Sequence, residues 1–340
     1  VLVERRSDAS ATVPAGLAED GRARRVLGVD VGGTSVKWSL VQGDTVERSG
    51  SIDTPRVDHH AVLGAVAQLA RECEVPLAGI GIAVPGTVDT VARRSLVVPN
   101  LPGDWSGLAV ADELERLTGV PVALLNDARA FGWAELVAGA ARGASDALFV
   151  TLGTGVGGAI ARAGTILVGD VDAIGEIGHV LVDPHGELCG CGGRGCLETV
   201  ASASAIVAHL ARTVATGHSP ALRALTADGA RPLTARAAAE AARAGDPWAR
   251  DAFDRAGDAI GHAAAVVCLV LQLDLVVVGG GLAPAADLLL PRIESVLAQR
   301  RSLTGDVRTA VAQLGSTAGS VGAAIHASRT PAVHTTERNS

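Results

Sequence analysis

An α/β fold in two lobes is the class this sequence predicts, and three observations predict it. A short apolar run, a glycine turn and a second apolar run occur at 26–41 and again at 147–162, once in each half of the chain. Between and after them, strand-like apolar runs alternate with stretches whose apolar residues recur at helical spacing. The 340 residues are enough to fill two hydrophobic cores.

Composition narrows the function classes. Apolar residues make up 48% of the chain, which excludes a disordered protein, and the formal net charge of -7 argues against a nucleic-acid partner, because phosphate backbones call for a basic face. Methionine and tyrosine are absent, so recognition of a polar ligand would rest on carboxylates, amides and backbone more than on stacking. The most apolar stretch, AAAVVCLVLQLDLVVV, is broken by Gln272 and Asp274 and ends in glycines. It reads as a buried helix running into a buried strand, too interrupted for a membrane span. The opening segment lacks the continuous apolar core of a secretory signal. Residues 1–24 and 329–340 are polar and aperiodic and read as disordered tails, with the basic cluster Arg22, Arg24 and Arg25 a solvated flank. A cytoplasmic protein with no membrane partner is the expectation.

Taken in order, the elements carry their own chemistry. In VLGVDVGGTSVKWSLV the turn holds Asp30, Gly32, Gly33 and Thr34. Glycines let backbone N–H groups approach an anion, while the hydroxyl and carboxylate suit a hydrated cation; an ordinary hairpin has the same outline. Lys37 is the only lysine in an arginine-biased chain, either a ligand-facing residue or a solvent-facing strand position. A helix near 60–71 leads to the strand LAGIGIAVPG, which ends at Gly86, where α/β sheets usually meet their ligands. A helix near 109–117 precedes VPVALLND, placing Asn126 and Asp127 where an apolar strand gives way to a helix. From position alone, Asp127 reads as a helix cap. The second glycine turn holds Gly153, Thr154 and Gly155. Later, Gly279, Gly280 and Gly281 follow an apolar strand and open a helix, and GSTAGSVGAAIHA forms a small-residue helix suited to close packing.

The densest chemistry lies in EIGHVLVDPHGELCGCGGRGCLE. His179, Cys189, Cys191 and Cys196 are a soft, four-membered ligand set of the kind zinc takes tetrahedrally, and the glycines between them let the backbone turn tightly enough for the sulfurs to converge. Five cysteines in the whole chain are far from a disulfide scaffold. A closed four-ligand shell points to structural zinc. Glu176 and Glu198 bracket the ligands, and a purely structural knot has no need of them.

This loop, ExGH followed by CxCGxxGCxE, resembles the signature of the ROK family of bacterial sugar kinases and sugar-responsive repressors, and the resemblance covers roughly 26–327. DVGGT, NLPG and Asn126-Asp127 match further family landmarks in the same order. The chain differs from the family's usual PNLPGW by an additional Asp104, and from NDAN by Arg129. The resemblance implies a two-lobed actin-like ATPase (RNase H-like) fold with a nucleotide cleft. It puts an N-terminal lobe at 25–125, completed by a C-terminal helix near 316–328, and a C-terminal lobe at 126–315 with the zinc loop at 179–196. It further implies ATP and Mg2+ held by Asp30, Gly32, Gly33, Thr34, Lys37, Gly153, Thr154 and Gly155, with adenosine against Gly279, Gly280 and Gly281. Asp127 would be the general base, and Gly86, Asn126, Asp127, Glu176, His179 and Glu198 would bind the sugar, His179 serving zinc as well. The expected activity is phosphorylation of the 6-hydroxyl of glucose by a homodimer or homotetramer. Another hexose, an N-acetylhexosamine or a C7-cyclitol is the alternative substrate, and a non-catalytic sugar sensor the alternative class. Family repressors carry a winged helix-turn-helix before this region, and the segment preceding Val26 is too short and apolar-poor for one.

Overall fold

The computed structural model describes residues 24–43, 45–169, 172–216, 218–226 and 232–330. The tails expected at 1–24 and 329–340 lie almost wholly outside the described residues.

In the first half come β1 (Arg25–Val31), β2 (Ser35–Gln42), β3 (Thr45–Asp53), α1 (His59–Glu72), β4 (Gly79–Val84), β5 (Thr87–Asp89), β6 (Arg94–Val97), α2 (Val110–Thr118) and β7 (Val122–Asn126). Then follow α3 (Asp127–Ala138), β8 (Ala147–Leu152), β9 (Val156–Arg162), β10 (Thr165–Ile166), α4 (Glu198–Ala201), α5 (Ala203–Ala215), α6 (Pro220–Leu225), α7 (Ala235–Arg243) and α8 (Pro247–Leu271). The chain closes with β11 (Leu275–Gly279), α9 (Ala286–Ala298), α10 (Arg301–Thr304), β12 (Arg308–Val311) and α11 (Ala318–Arg329).

The expected duplication is visible in the sheets. One has the order β3-β2-β1-β4-β7 and the other β10-β9-β8-β11-β12. In each, an antiparallel hairpin extended by a third antiparallel strand continues into two parallel strands. The parallel strands β4, β7 and β11 are buried along their length, which explains why they read as unbroken apolar runs. Parallel strands also bring their C-terminal ends to one edge, so Asp30, Gly86 and Asn126 share an edge, as do Leu152 and Gly279.

Three cores result. The first sheet packs on α1 and α2 around Leu63, Val66, Ile82 and Trp105. The second packs on α4 through α9 around Leu148, Phe253, Ile260 and Val278. A third core fills the space between the sheets, where α3 and α11 contribute Phe131, Trp133, Val321 and Ala323 against Ala83 and Leu125 of one sheet and Phe149 and Val277 of the other. The small-residue character of α11 has a direct cause there. A Cβ on Gly28 would come within 1.8 Å of the Ser320 carbonyl oxygen, and one on Gly81 within 1.9 Å of that of Ala323. Only glycine lets the helix backbone lie this close to β1 and β4.

Two expectations need correction. The stretch that ends α8 is not buried all round: Ala263, Ala264, Ala265 and Cys268 are buried, but Val266, Leu269 and Val270 are exposed. Helical spacing turns one apolar face inward and leaves the other out, and an uninterrupted apolar run conceals that division. The Gly279–Gly281 run does not open a helix directly. Gly279 is the last residue of β11, and a 3-10 turn at Ala283–Ala285 intervenes before α9. The extra Asp104 is absorbed in a surface turn, where its Oδ1 accepts from Ser106 N at 2.8 Å, and Trp105 reaches the first core with Nε1 donating to the Pro102 carbonyl at 2.9 Å. Among the described residues, no helix is long and apolar enough to cross a membrane.

Candidate active site

The junction of β7 and α3 is the centre of the site. Asn126, not Asp127, is the helix cap. Its Oδ1 accepts from Ala128 N at 2.8 Å and Arg129 N at 3.2 Å, a device worth about 1 kcal/mol. Asp127 is thereby released as the first residue of α3, half-buried, with Oδ1 accepting from Ala128 N at 2.8 Å. Burial pushes its carboxyl up to about 7, and the negative charges of Asp30 and Glu176 push in the same direction, against the Ala128 N–H and Arg129. A carboxylate that gains its proton near neutrality is suited to act as a general base.

Asp30 comes to the same place from β1. Desolvation raises its pKa, partly offset by Lys37. Lys37 is its direct cross-strand partner in β2, so the two side chains share a face of the sheet. Asp30 also lies against the start of α11, where a Cβ on Gly319 would meet its Oδ2 at 2.4 Å. The glycine turn is closed by Gly32 N donating to Ser35 O at 3.1 Å, and Thr34 O accepts from Thr54 N at 3.0 Å.

Gly86 acts through its backbone. Its carbonyl accepts from Asn126 Nδ2 at 2.7 Å, and its φ of +86° with Val97 O 2.1 Å from any added Cβ makes glycine obligatory.

The second glycine turn is held from the cysteine-bearing loop. Gly153 N donates to Gly155 O at 2.9 Å, and Val156 N donates to Glu198 Oε2 at 2.9 Å. Glu198 is the first residue of α4, and its Oε1 lies 3.8 Å from Cys189 Sγ. This carboxylate ties loop and hairpin together. Gly279 is the register partner of Thr151, and Leu282 N donates to Leu152 O at 3.0 Å, which seats the three-glycine run beside the second turn.

His179, Cys189, Cys191 and Cys196 converge as their spacing predicts, with their donor atoms all within 4.8 Å of one another. The Cys191–Cys196 sulfurs are 3.7 Å apart and Cys189 Sγ is 3.6 Å from His179 Nδ1. Tetrahedral Zn–S bonds of about 2.3 Å would set sulfurs ~3.8 Å apart, so the donor set fits zinc in kind and in separation. The turn that gathers them depends on Gly195, where a Cβ would fall 1.6 Å from the Asp183 carbonyl oxygen.

Two residues escaped the sequence reading as parts of the site. Arg129 is fully buried, and its Nη1 donates to Asn126 Oδ1 at 3.1 Å, to Gly158 O at 3.0 Å and to Glu176 Oε1 at 2.8 Å. Asp172, also fully buried, faces Arg129 Nε at 3.4 Å and accepts from Asn126 N at 2.9 Å. Burial raises the Asp172 carboxyl to about 6, opposed by Arg129. The local signal was Arg129 itself, standing where the family usually reads NDAN; Asp172 gave none.

Two hairpin-led sheets of one order, meeting through a shared layer of helices with glycine turns and carboxylates at their edges, define a two-lobed protein of the actin-like ATPase fold. Within that class the chain belongs to the ROK family, which matches residues 26–330. It is 36% identical over 312 residues to a glucokinase of Thermotoga maritima, covering 88% of this chain and 96% of that one. It is 33% identical over 294 residues to an N-acetylmannosamine kinase of Yersinia pestis, covering 84% and 91%. A ROK family glucokinase from Streptomyces griseus, solved in complex with glucose and AMPPNP, superimposes with a TM-score of 0.76 at 32% identity, over 90% of this chain and 100% of that one.

Proposed function

We propose that this chain is an ATP-dependent sugar kinase that transfers the γ-phosphate to the 6-hydroxyl of glucose. The observation that carries the reading is Asp127: a carboxylate with its proton affinity raised to about 7, at a strand edge beside Asn126, Asp30 and Glu176. In this reading Asp127 takes the proton of the attacking hydroxyl as the oxygen–phosphorus bond forms and ADP leaves. Asn126 and Glu176 hold neighbouring ring hydroxyls, with His179 and Glu198 bordering them from the zinc loop. Phosphates lie between the turns Gly32-Gly33-Thr34 and Gly153-Thr154-Gly155, and the adenosine lies along Gly279–Gly281.

Asp30, a hard oxygen donor with Lys37 beside it, fits a magnesium ion carried with the nucleotide, which would neutralise charge on the β- and γ-phosphates. The four-ligand cluster fits structural zinc. Closure of the lobes would exclude water and suppress ATP hydrolysis. Work in the cell interior, as a homodimer or homotetramer, belongs to the same reading.

N-acetylmannosamine is the second substrate reading, favoured by the Yersinia relative. N-acetylglucosamine, other hexoses and C7-cyclitols call for the same base and the same loop. The deciding experiment compares kcat/KM with ATP for glucose, mannose, N-acetylmannosamine, N-acetylglucosamine and a valiolone-type cyclitol. Glucose should lead. A competitor ahead by a hundredfold, about 2.7 kcal/mol in the transition state, overturns glucose and keeps the kinase; no turnover with any of them overturns the kinase.

A further inference from the structure

A buried arginine–carboxylate pair lies directly behind the groups that would face a sugar, and the chemistry proposed above does not use it. We infer that Arg129, held by Asp172, is a positioning residue that fixes which groups the site offers its substrate: an N–H from Asn126 and a carboxylate oxygen from Glu176. The inference rests on the sugar-kinase reading and deepens it.

An asparagine amide can present either end to a ligand. Here the choice is made. Three donors converge on Oδ1, namely Ala128 N at 2.8 Å, Arg129 N at 3.2 Å and Arg129 Nη1 at 3.1 Å. Turning the amide over would set N–H groups against all three. Nδ2 therefore faces the other way, with one hydrogen on the Gly86 carbonyl at 2.7 Å and the second without a partner among the described residues. Asn126 can only donate. The same Nη1 engages Glu176 Oε1 at 2.8 Å, which leaves Oε2 as an acceptor. One guanidinium nitrogen thus orients a donor and an acceptor at once.

The guanidinium cannot wander. Nη2 donates to the Asp172 carbonyl at 2.8 Å, and Nε lies 3.4 Å from Asp172 Oδ1. Asp172 Oδ2 accepts from Asn126 N at 2.9 Å, so the pair grips both the arginine and the residue it orients. Asp172 holds a φ of +42°, in the left-handed region that aspartate tolerates better than most residues. A lysine would supply charge without the fork that reaches Asn126, Gly158, Glu176 and Asp172 together.

The substrate class follows. The site takes a ring with adjacent hydroxyls, one accepting from Asn126 and one donating to Glu176. Removing either hydroxyl leaves a polar group that the bound ring covers without its partner, which polar sites punish steeply.

The test measures kcat/KM for the preferred sugar and its ring-deoxy analogues, in the parent chain, Arg129→Lys and Arg129→Met/Asp172→Asn. The double variant removes both charges and so avoids an unpaired one in the interior. A loss of folded protein scales every substrate equally and leaves the sugar-to-deoxy ratio untouched. The parent should lose roughly 10²-fold or more at one or two ring positions. Both variants should shrink that penalty by about tenfold or more at those positions, with KM for ATP within about twofold of the parent. An active parent whose ratio is kept in either variant overturns the inference alone. A parent that phosphorylates no sugar overturns the kinase reading and this inference with it.

Discussion

The two five-stranded sheets share one strand order, yet their glycine turns are held in different ways. The first is held from within its own lobe: Thr54 donates to Thr34 and Gly32, and the charges Asp30 and Lys37 stand on the hairpin itself. The second hairpin carries no charge at its turn. It is held from outside its sheet, by Glu198, the first residue of α4, where the cysteine-rich loop that follows β10 ends. The first turn is braced by Thr54 at the end of its own sheet, whereas the Gly153-Thr154-Gly155 turn is braced by a carboxylate from a separate element.

The largest way to break the comparison is to disrupt the proposed zinc site. Cys191→Ser should lose zinc and phosphoryl transfer together, because structural zinc is worth about 10–16 kcal/mol in small zinc modules and the loop carries Glu198. Metal analysis alongside turnover checks this. The first hairpin should survive, so magnesium-nucleotide binding should weaken far less than sugar turnover. A variant without zinc but with parental turnover would show that the second hairpin needs no such grip.

Next in size is the helix shared by both lobes. Gly81→Ala forces a methyl group against the Ala323 carbonyl and should cost about 1–3 kcal/mol in urea unfolding, the usual range for overpacking. Gly190→Ala, where nothing lies within 4 Å of an added Cβ, should cost far less.

How much of this was legible follows from the range of each interaction. The paired hairpins were legible because strand and turn are local patterns, and the four ligands because their spacing is short. Asn126-Asp127 is legible at a strand end; position alone favours Asp127 as the cap, the resemblance overrides that in favour of a base, and the backbone gives the cap to Asn126. Both residue types cap helices, and only the backbone shows that the strand runs through Asn126. Arg129 and Asp172 were not legible as a pair. Their contact spans 43 residues and leaves no periodicity in the chain. The exposed stripe Val266, Leu269 and Val270 was hidden by a run too apolar to show its two faces.

The smallest effect sharpens the electrostatics. With the Asp127 carboxyl near 7, kcat/KM should fall about tenfold per pH unit below that value and level off above it, since the base must be ionised. Asp30→Asn removes a like charge, so the Asp127 pKa should drop and the limb should move to lower pH, even as turnover falls. A limb that stays in place would mean that Asp30 does not act on Asp127.

The most direct test of the account is Asp127→Asn, assayed with ATP against the best sugar. Asparagine keeps the shape of the carboxylate and the Ala128 contact but cannot accept the proton. Turnover should fall by roughly 10²–10⁴, the range for a lost general base, while the dissociation constants of sugar and nucleotide change little and the zinc content stays at the parental level. Near-parental turnover in a folded, zinc-loaded variant would contradict the account at its centre.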